Sequence, residues 1–312
     1  MELIALTDAS TLAGVSVSTL RNYLKDRRLT AYGRGTRLLL DRDEVKAVFG
    51  LKRLTPPTPG EAARVIAVAN QKGGVGKTTT AVALAAVLAR ESPVLAIDCD
   101  PQGNLTQAFG LDPDAQPRTL YDVLATDAAL ADVWLPAGPP LPNLTVVPAN
   151  LDLADTWRRV AGRVGLEMLL RSALQPVAGR FRYVVLDCPP ALDMMALNAL
   201  VAATEVIVPV DMSVFSVRGM VKLMGTLHEV RKVNPALPPP RVVACRTDHT
   251  TLSHAIEQEL RERFGGTVFR TAIPKGKDVP AAHAARQPLP LHAPEGKPAL
   301  AYAALAEEVI RG

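Results

Sequence analysis

From residue 64 onward the chain alternates two apolar periodicities. Short, nearly continuous Val/Ile/Leu runs at 65–69, 94–98, 145–148, 183–187, 205–210, 242–244 and 268–271 predict strands covered on both faces. Between them, positions repeating every three to four residues predict helices over 78–90, 165–174, 194–203, 218–233, 252–263 and 298–311. Such alternation implies βαβ units: an α/β fold with a mostly parallel sheet flanked by helices, and ligands at the carboxyl ends of the strands. The two proline-rich stretches, 135–142 and 235–240, read as loops.

The first 54 residues follow another pattern. A short helix over 8–13, a turn at Gly14-Val15-Ser16 and a second helix over 17–26 with Ser16 as its N-cap are predicted. A hairpin tip at Gly33-Arg34-Gly35-Thr36-Arg37 leads into a strand at 38–40 and a last helix over 42–48. Thr55-Pro56-Pro57-Thr58-Pro59-Gly60 sustains neither helix nor ladder, because its prolines lack donors and fix φ. The expected organisation is a head over 1–54, a linker over 55–63 and a large domain over 64–312.

Composition narrows the function classes. An apolar share of 48% supplies ample core for 312 residues and argues against a disordered chain. No run of about 18 uncharged apolar residues is present, so no membrane span is expected. The start MELIALTDAS lacks the layout of a secretory signal. Three scattered cysteines without a CxxC argue against disulfides or a thiolate metal site, and favour a reducing cytoplasm. Aromatic residues make up only 4%, too few for base-stacking platforms on single strands. The net charge of +4 has a location: residues 1–54 carry ten Lys and Arg against six Asp and Glu, and the remainder is balanced. A polyanion partner for the head follows from that.

The strongest chemical signal is the strand at 65–69 running into Asn70-Gln71-Lys72-Gly73-Gly74-Val75-Gly76-Lys77-Thr78-Thr79-Thr80 and a helix. Glycines let consecutive N–H groups converge on one centre, and the helix N-terminus adds its positive end. In such a phosphate loop Lys77 reaches the β- and γ-phosphates, Thr78 binds Mg²⁺ and Thr79 donates near the α-phosphate, with Gly73, Gly74, Val75 and Gly76 lining the cradle. The general GxxxxGK[ST] pattern is broken at its first position by Gln71, and a second lysine, Lys72, stands at the start of the loop.

The stretch KGGVGKTT resembles the deviant Walker ATPases, and the rest of residues 64–312 resembles their ParA branch, the DNA-partition ATPases. Asp98-Cys99-Asp100-Pro101-Gln102-Gly103-Asn104 is similar to the family's DxDPQGN motif. Val184-Val185-Leu186-Asp187-Cys188-Pro189-Pro190 followed by Leu197-Asn198-Ala199-Leu200 is similar to its Walker B segment and switch. The resemblance implies a P-loop NTPase fold, ATP and Mg²⁺ as cofactors, and slow hydrolysis to ADP and phosphate. It implies that Asp100 positions the attacking water, that Asp98 and Asp187 join Thr78 around the Mg²⁺, and that Lys72 crosses to a second subunit's phosphates. ATP-dependent homodimerisation follows, and Pro274 and Lys275 fall in the family's base-side loop. For Asp98, a strand-end cap or salt bridge is the competing reading. Cys99 and Cys188 read as small buried hydrophobes.

The head's Val15-Ser16-Val17-Ser18-Thr19-Leu20-Arg21 resembles MerR/excisionase winged helix-turn-helix domains. That implies operator binding through Thr19, Arg21, Asn22 and Lys25, with Arg34 and Arg37 at the wing tip; a helical dimerisation module is the alternative. The resemblance to partition ATPases also implies sequence-neutral binding of double-stranded DNA in the ATP state. Candidates are Arg218, Arg246, Lys275, Lys277, Arg286 and the position of His249, each of which is equally readable as solvated surface. A ParB-type centromere-binding partner that stimulates turnover, and a cytoplasmic, nucleoid-associated location, are expected from the same resemblance; filaments on DNA stay open. Two other classes weigh against it. An ATP-modulated transcriptional regulator would use the head as its main output. A MinD-like membrane cycler is disfavoured by the alanine-rich C-terminus with Glu307 and Glu308.

Overall fold

The computed structural model describes residues 3–13, 17–25, 28–33, 38–42, 44–45, 62–212, 216–248 and 250–312, without the side chains of 11–13, 18, 19, 22, 216–221 and 252. In the head, β1 (Leu3–Ala5), α1 (Leu6–Ala13), α2 (Val17–Lys25), β2 (Ala31–Tyr32) and β3 (Leu39–Asp41) follow one another. The strands form an antiparallel sheet in the order β1-β3-β2. Its core is small: Ala9, Leu20, Leu29, Leu40 and Val45 are buried, with Tyr23 and Leu24 packed on them. The expected Leu20/Leu24 face therefore points inward. Strand β1 is a feature that the sequence pattern did not announce. The turn at 14–16, the tip residues Arg34 and Arg37, and most of the expected helix over 42–48 lie outside the described residues.

Residues 64 onward build a second, eight-stranded sheet. Its strands are β4 (Arg64–Val68), β5 (Val94–Asp98), β6 (Leu135–Pro136), β7 (Leu144–Val147), β8 (Tyr183–Asp187), β9 (Glu205–Asp211), β10 (Arg241–Thr247) and β11 (Ile273–Pro274). The order is β11-β10-β9-β4-β8-β5-β7-β6, parallel throughout except for the edge strand β6. Alternation along the strands sorts residues to two cores. Ile66, Val68, Ala96 and Val185 pack beneath α3 (Lys77–Leu88) and the C-terminal helix at Lys297–Arg311, through Leu84, Leu88, Tyr302 and Leu305. Ala67, Leu95, Ile97, Val184 and Leu186 pack on the other face against helices at Met194–Ala202 and Ser216–Val233, through Ala199, Leu223 and Leu227. The central register sets the site: Val68 is the neighbour of Asp187 on β8, and Asp187 is the neighbour of Asp98 on β5.

Three expectations change. The strand expected at 268–271 is reduced to one bridge, Val242 with Val268, and β11 forms instead at Ile273–Pro274. The reason is local: the N–H groups of Arg270 and Thr271 donate to the Glu308 carboxylate, which withdraws them from the ladder. The stretch at 135–142, read as loop, contains β6. The helix expected over 165–174 is α-helical only from Leu169 to Leu174, preceded by a 3₁₀ turn at Leu166–Met168 after Gly165 at φ 73°. Among the described residues no helix is long and apolar enough to cross a membrane.

Candidate functional site

The carboxyl ends of β4, β5, β8, β10 and β11 converge on one cavity of about 850 Å³. Its floor is the loop that leaves β4. Asn70 is buried and fixes the start of the loop to the sheet: its amide donates to the Pro209 carbonyl (2.7 Å), and its Oδ1 accepts from the Lys72 N–H (3.1 Å). Gly74 and Gly76 take φ values of +72° and +100°, which L-residues with a Cβ rarely adopt. A Cβ added at Gly73, Gly74 or Gly76 would meet no atom within 4 Å. The glycines thus leave a cradle open on the cavity side. Helix α3 begins at Lys77 directly above it, with no side chain capping its first N–H groups. An anion fits that end.

Lys77 is buried, and its Nζ donates to the Lys72 carbonyl at 3.0 Å, inside the loop's own curl. Burial pulls its pKa down, opposed by Asp187. Thr78 and Thr79 line the cavity beside it. Thr79 Oγ1 lies 3.1 Å from His283 Nε2, and Thr80 Oγ1 3.2 Å from the Tyr302 hydroxyl, so the first turn of α3 is tied to the C-terminal helices.

The carboxylates divide by partner. Asp98 is fully buried; its Oδ2 accepts from the Thr106 N–H (2.8 Å) and hydroxyl (2.7 Å), and its Oδ1 from the Asp100 N–H (3.2 Å). Thr106 sits in the first turn of α4 (Asn104–Ala108), so Asp98 caps that helix from outside. Of the two readings for Asp98, the structure thus displays the cap. Burial pushes its pKa up to about 7. Asp187 is equally buried, yet neither oxygen accepts a hydrogen bond of regular length and angle, the Thr78 hydroxyl being near it without making one. Burial first, and then the neighbouring Asp98, drive its pKa well up, while Thr78 and Lys77 pull it back. A fully buried carboxylate with no partner is costly unless a cation joins it. Asp187, buried within reach of Thr78 and Lys77 at the start of α3, therefore fits a divalent ion carried with a phosphate. Asp100 lines the cavity, with Oδ1 accepting from the Gln102 N–H at 3.0 Å.

Lys72 does not point across open space. Its Nζ donates to both oxygens of Asp211, at 2.9 Å each. Pro274 and Lys275 do line the cavity, and Lys275 is ion-paired with Asp248, whose carboxyl that contact holds well below the usual range. Of the residues expected on DNA, Arg21 and Lys25 are exposed on α2 and Lys277 is exposed. Thr19, Asn22 and Arg218 lie on helices without described side chains, while Arg34, Arg37 and His249 lie outside the described residues. Arg246 is exposed and also lines the cavity, with Nη1 donating to the Gly74 carbonyl at 3.1 Å. Asn70, Thr106, Asp211 and His283 escaped the sequence reading. For Asp211 a signal existed, an aspartate ending an apolar strand as Asp98 and Asp187 do; the others are joined only by the fold. Cys99, Cys188 and Cys245 are buried, with thiols pushed up by burial, Cys245 to about 12.

The chain matches the AAA domain family over residues 63–238. It is 38% identical to the chromosome partitioning protein ParA of Caulobacter vibrioides, over 79% of this chain and 94% of that protein. It is 34% identical to the sporulation initiation inhibitor protein Soj of Bacillus subtilis, over 79% of this chain and 98% of that protein. Among solved structures, cobyrinic acid a,c-diamide synthase of Mycobacterium smegmatis with bound ATP analogue and magnesium is 32% identical, with a TM-score of 0.68, covering 80% of this chain and 95% of that one.

Proposed function

Since the chain belongs to the ParA/Soj family of P-loop ATPases, we propose that it is a DNA-partition ATPase that binds Mg²⁺–ATP in the cavity above the β4 loop. The observation that carries this reading is the buried, orphaned Asp187 carboxylate behind the glycine loop, within reach of Thr78 and Lys77. Related structures hold an ATP analogue or ADP with magnesium, which supports the same ligand here. Thr78 and Asp187 would hold the ion, Lys77 and the loop amides the phosphates, and Pro274 and Lys275 the base side. Magnesium, when bound, neutralises charge that develops on the transferred phosphoryl group.

The chain's own residues supply the rest. Lys77 exchanges the Lys72 carbonyl for phosphate oxygens. Asp100, on the cavity wall, orients a water for in-line attack. Lys72 leaves Asp211 to reach the nucleotide of a second copy, which makes dimerisation depend on ATP. The dimer then holds double-stranded DNA without sequence preference, releases it on hydrolysis, and is stimulated by a ParB-type partner. The head, with α2 presenting Arg21 and Lys25 outward beside a β2–β3 hairpin, reads an operator as a winged helix-turn-helix. Its excess positive charge supports that second DNA mode.

The test combines Lys72→Ala with sedimentation and gel shifts on random duplex at two salt concentrations. Wild-type protein should dimerise and shift random DNA only with the ATP analogue, and Lys72→Ala should bind nucleotide yet stay monomeric. An ATP-dependent dimer surviving that change contradicts the sandwich. DNA binding confined to one sequence and indifferent to nucleotide favours the operator-binding regulator instead.

A further inference from the structure

Among the described residues only three without a glycine's freedom take a positive φ: Asp127, Arg246 and Arg286. Arg246 stands out by what surrounds it. Its φ is 57°, a conformation that persists in a side-chain-bearing residue only where its surroundings impose it. It also falls where the β10–β11 register shifts: Cys245 pairs with Ile273 and Thr247 with Pro274, leaving Arg246 as the extra residue. A bulge of this kind turns its side chain out of the strand's regular alternation and aims it elsewhere. Here it aims the guanidinium at the phosphate loop, where Nη1 donates to the Gly74 carbonyl at 3.1 Å. Because a peptide is planar and trans, anchoring that carbonyl on Arg246 directs the Val75 N–H the opposite way, away from the arginine. The fork has four further N–H donors, and Arg246 is part of the cavity wall.

Resting on the nucleotide reading above, we infer that Arg246 is a nucleotide-binding residue, a further cation of the cavity beside Lys77 and Lys275, which anchors the loop at Gly74 and offers its remaining donors to the phosphates. Its strained backbone is then what the site requires of the strand end, and not a feature of the fold's stability. A surface role on DNA phosphates, by contrast, leaves both the bulge and the Gly74 contact without a purpose.

The experiment uses the full chain, fluorescent Mg²⁺–ADP and a fluorescent non-hydrolysable Mg²⁺–ATP analogue, with Arg246→Gly, Arg246→Lys and Lys77→Ala. Glycine removes the side chain and relieves the φ strain together, so Arg246→Gly should melt no lower than wild type. Its nucleotide affinity should nonetheless fall about tenfold or more, the loss expected of a charge-assisted hydrogen bond. Arg246→Lys, a point charge without the fork, should recover only part of it. Arg246→Gly with wild-type nucleotide affinity overturns the inference, as does a variant whose only defect, at saturating nucleotide, is in DNA binding. Those results with binding still lost in Lys77→Ala sink this inference alone; wild-type protein that fails to bind either nucleotide sinks the parent reading with it.

Discussion

Replacing Asp187 by asparagine isolates the cost of the site's central feature. In the metal-free protein a fully buried carboxylate has no hydrogen-bond partner and faces a second buried acid, Asp98, across one sheet register. An uncompensated buried charge costs about 3–5 kcal/mol. An asparagine in the same place is uncharged but leaves amide groups unpaired, at about 1–3 kcal/mol. Loss of the attraction between Asp187 and the neighbouring Lys77 trims the gain. The net expectation is a stabilisation of at most about 2 kcal/mol, the difference of those two central values before that reduction. For a folded unit of this size that is about 4–8 °C in Tm. The assay is thermal unfolding in EDTA at pH 8, followed by circular dichroism, with a repeat in Mg²⁺ and a non-hydrolysable ATP analogue. Asp187→Asn should melt higher than wild type in EDTA and gain less from Mg²⁺–nucleotide. A lower Tm in EDTA would refute the reasoning, because it would mean that the carboxylate is satisfied within the fold.

Other expectations follow from the same contacts. Thr106→Val removes a donor to Asp98 and also strips the Ala149 N–H of its acceptor, Thr106 Oγ1 at 3.1 Å; about 2–4 kcal/mol of stability should go by chemical denaturation, and a change under about 1 kcal/mol would show the two hydroxyl contacts to be idle. Asp98 has its pKa pushed up to about 7, so the fold favours its protonated form. That contribution is complete below about pH 4 and lost as pH rises through about 7, so the metal-free protein should melt lower at pH 8 than at pH 6, and a Tm that climbs over this interval contradicts the shift. Asp211→Asn removes the charge that Lys72 pairs with in a partly exposed contact; ATP-dependent dimers should then form at a several-fold lower protein concentration by sedimentation, whereas unchanged assembly means that the pair does not restrain the lysine.

How much of this could be read from the chain divides along local and long-range lines. The β4 strand, the loop and α3 are contiguous, and glycine spacing with a helix start is a local code, so Gly73 to Thr79 were legible. So were the strand-end aspartates, because an uninterrupted Val/Ile/Leu run that ends in a charge marks a buried strand emerging at the ligand edge of its sheet. The roles of those aspartates were less legible: nothing in the sequence says that Thr106 rises to meet Asp98 while Asp187 is left alone. The strand expected at 268–271 failed for a similar reason, since Glu308, nearly forty residues on, takes its N–H groups. Arg246 is the sharpest case. Basic residues after a strand read as surface, and only a one-residue register shift against β11 turns this one to the phosphate loop.

Mg²⁺-dependent nucleotide binding in the β4 loop is the central claim, and titration calorimetry addresses it most directly. A non-hydrolysable ATP analogue should bind one site per chain in Mg²⁺, bind more weakly in EDTA, and fail to bind Lys77→Ala. Undiminished binding to that variant, or affinity indifferent to Mg²⁺, would place the nucleotide somewhere other than this cradle.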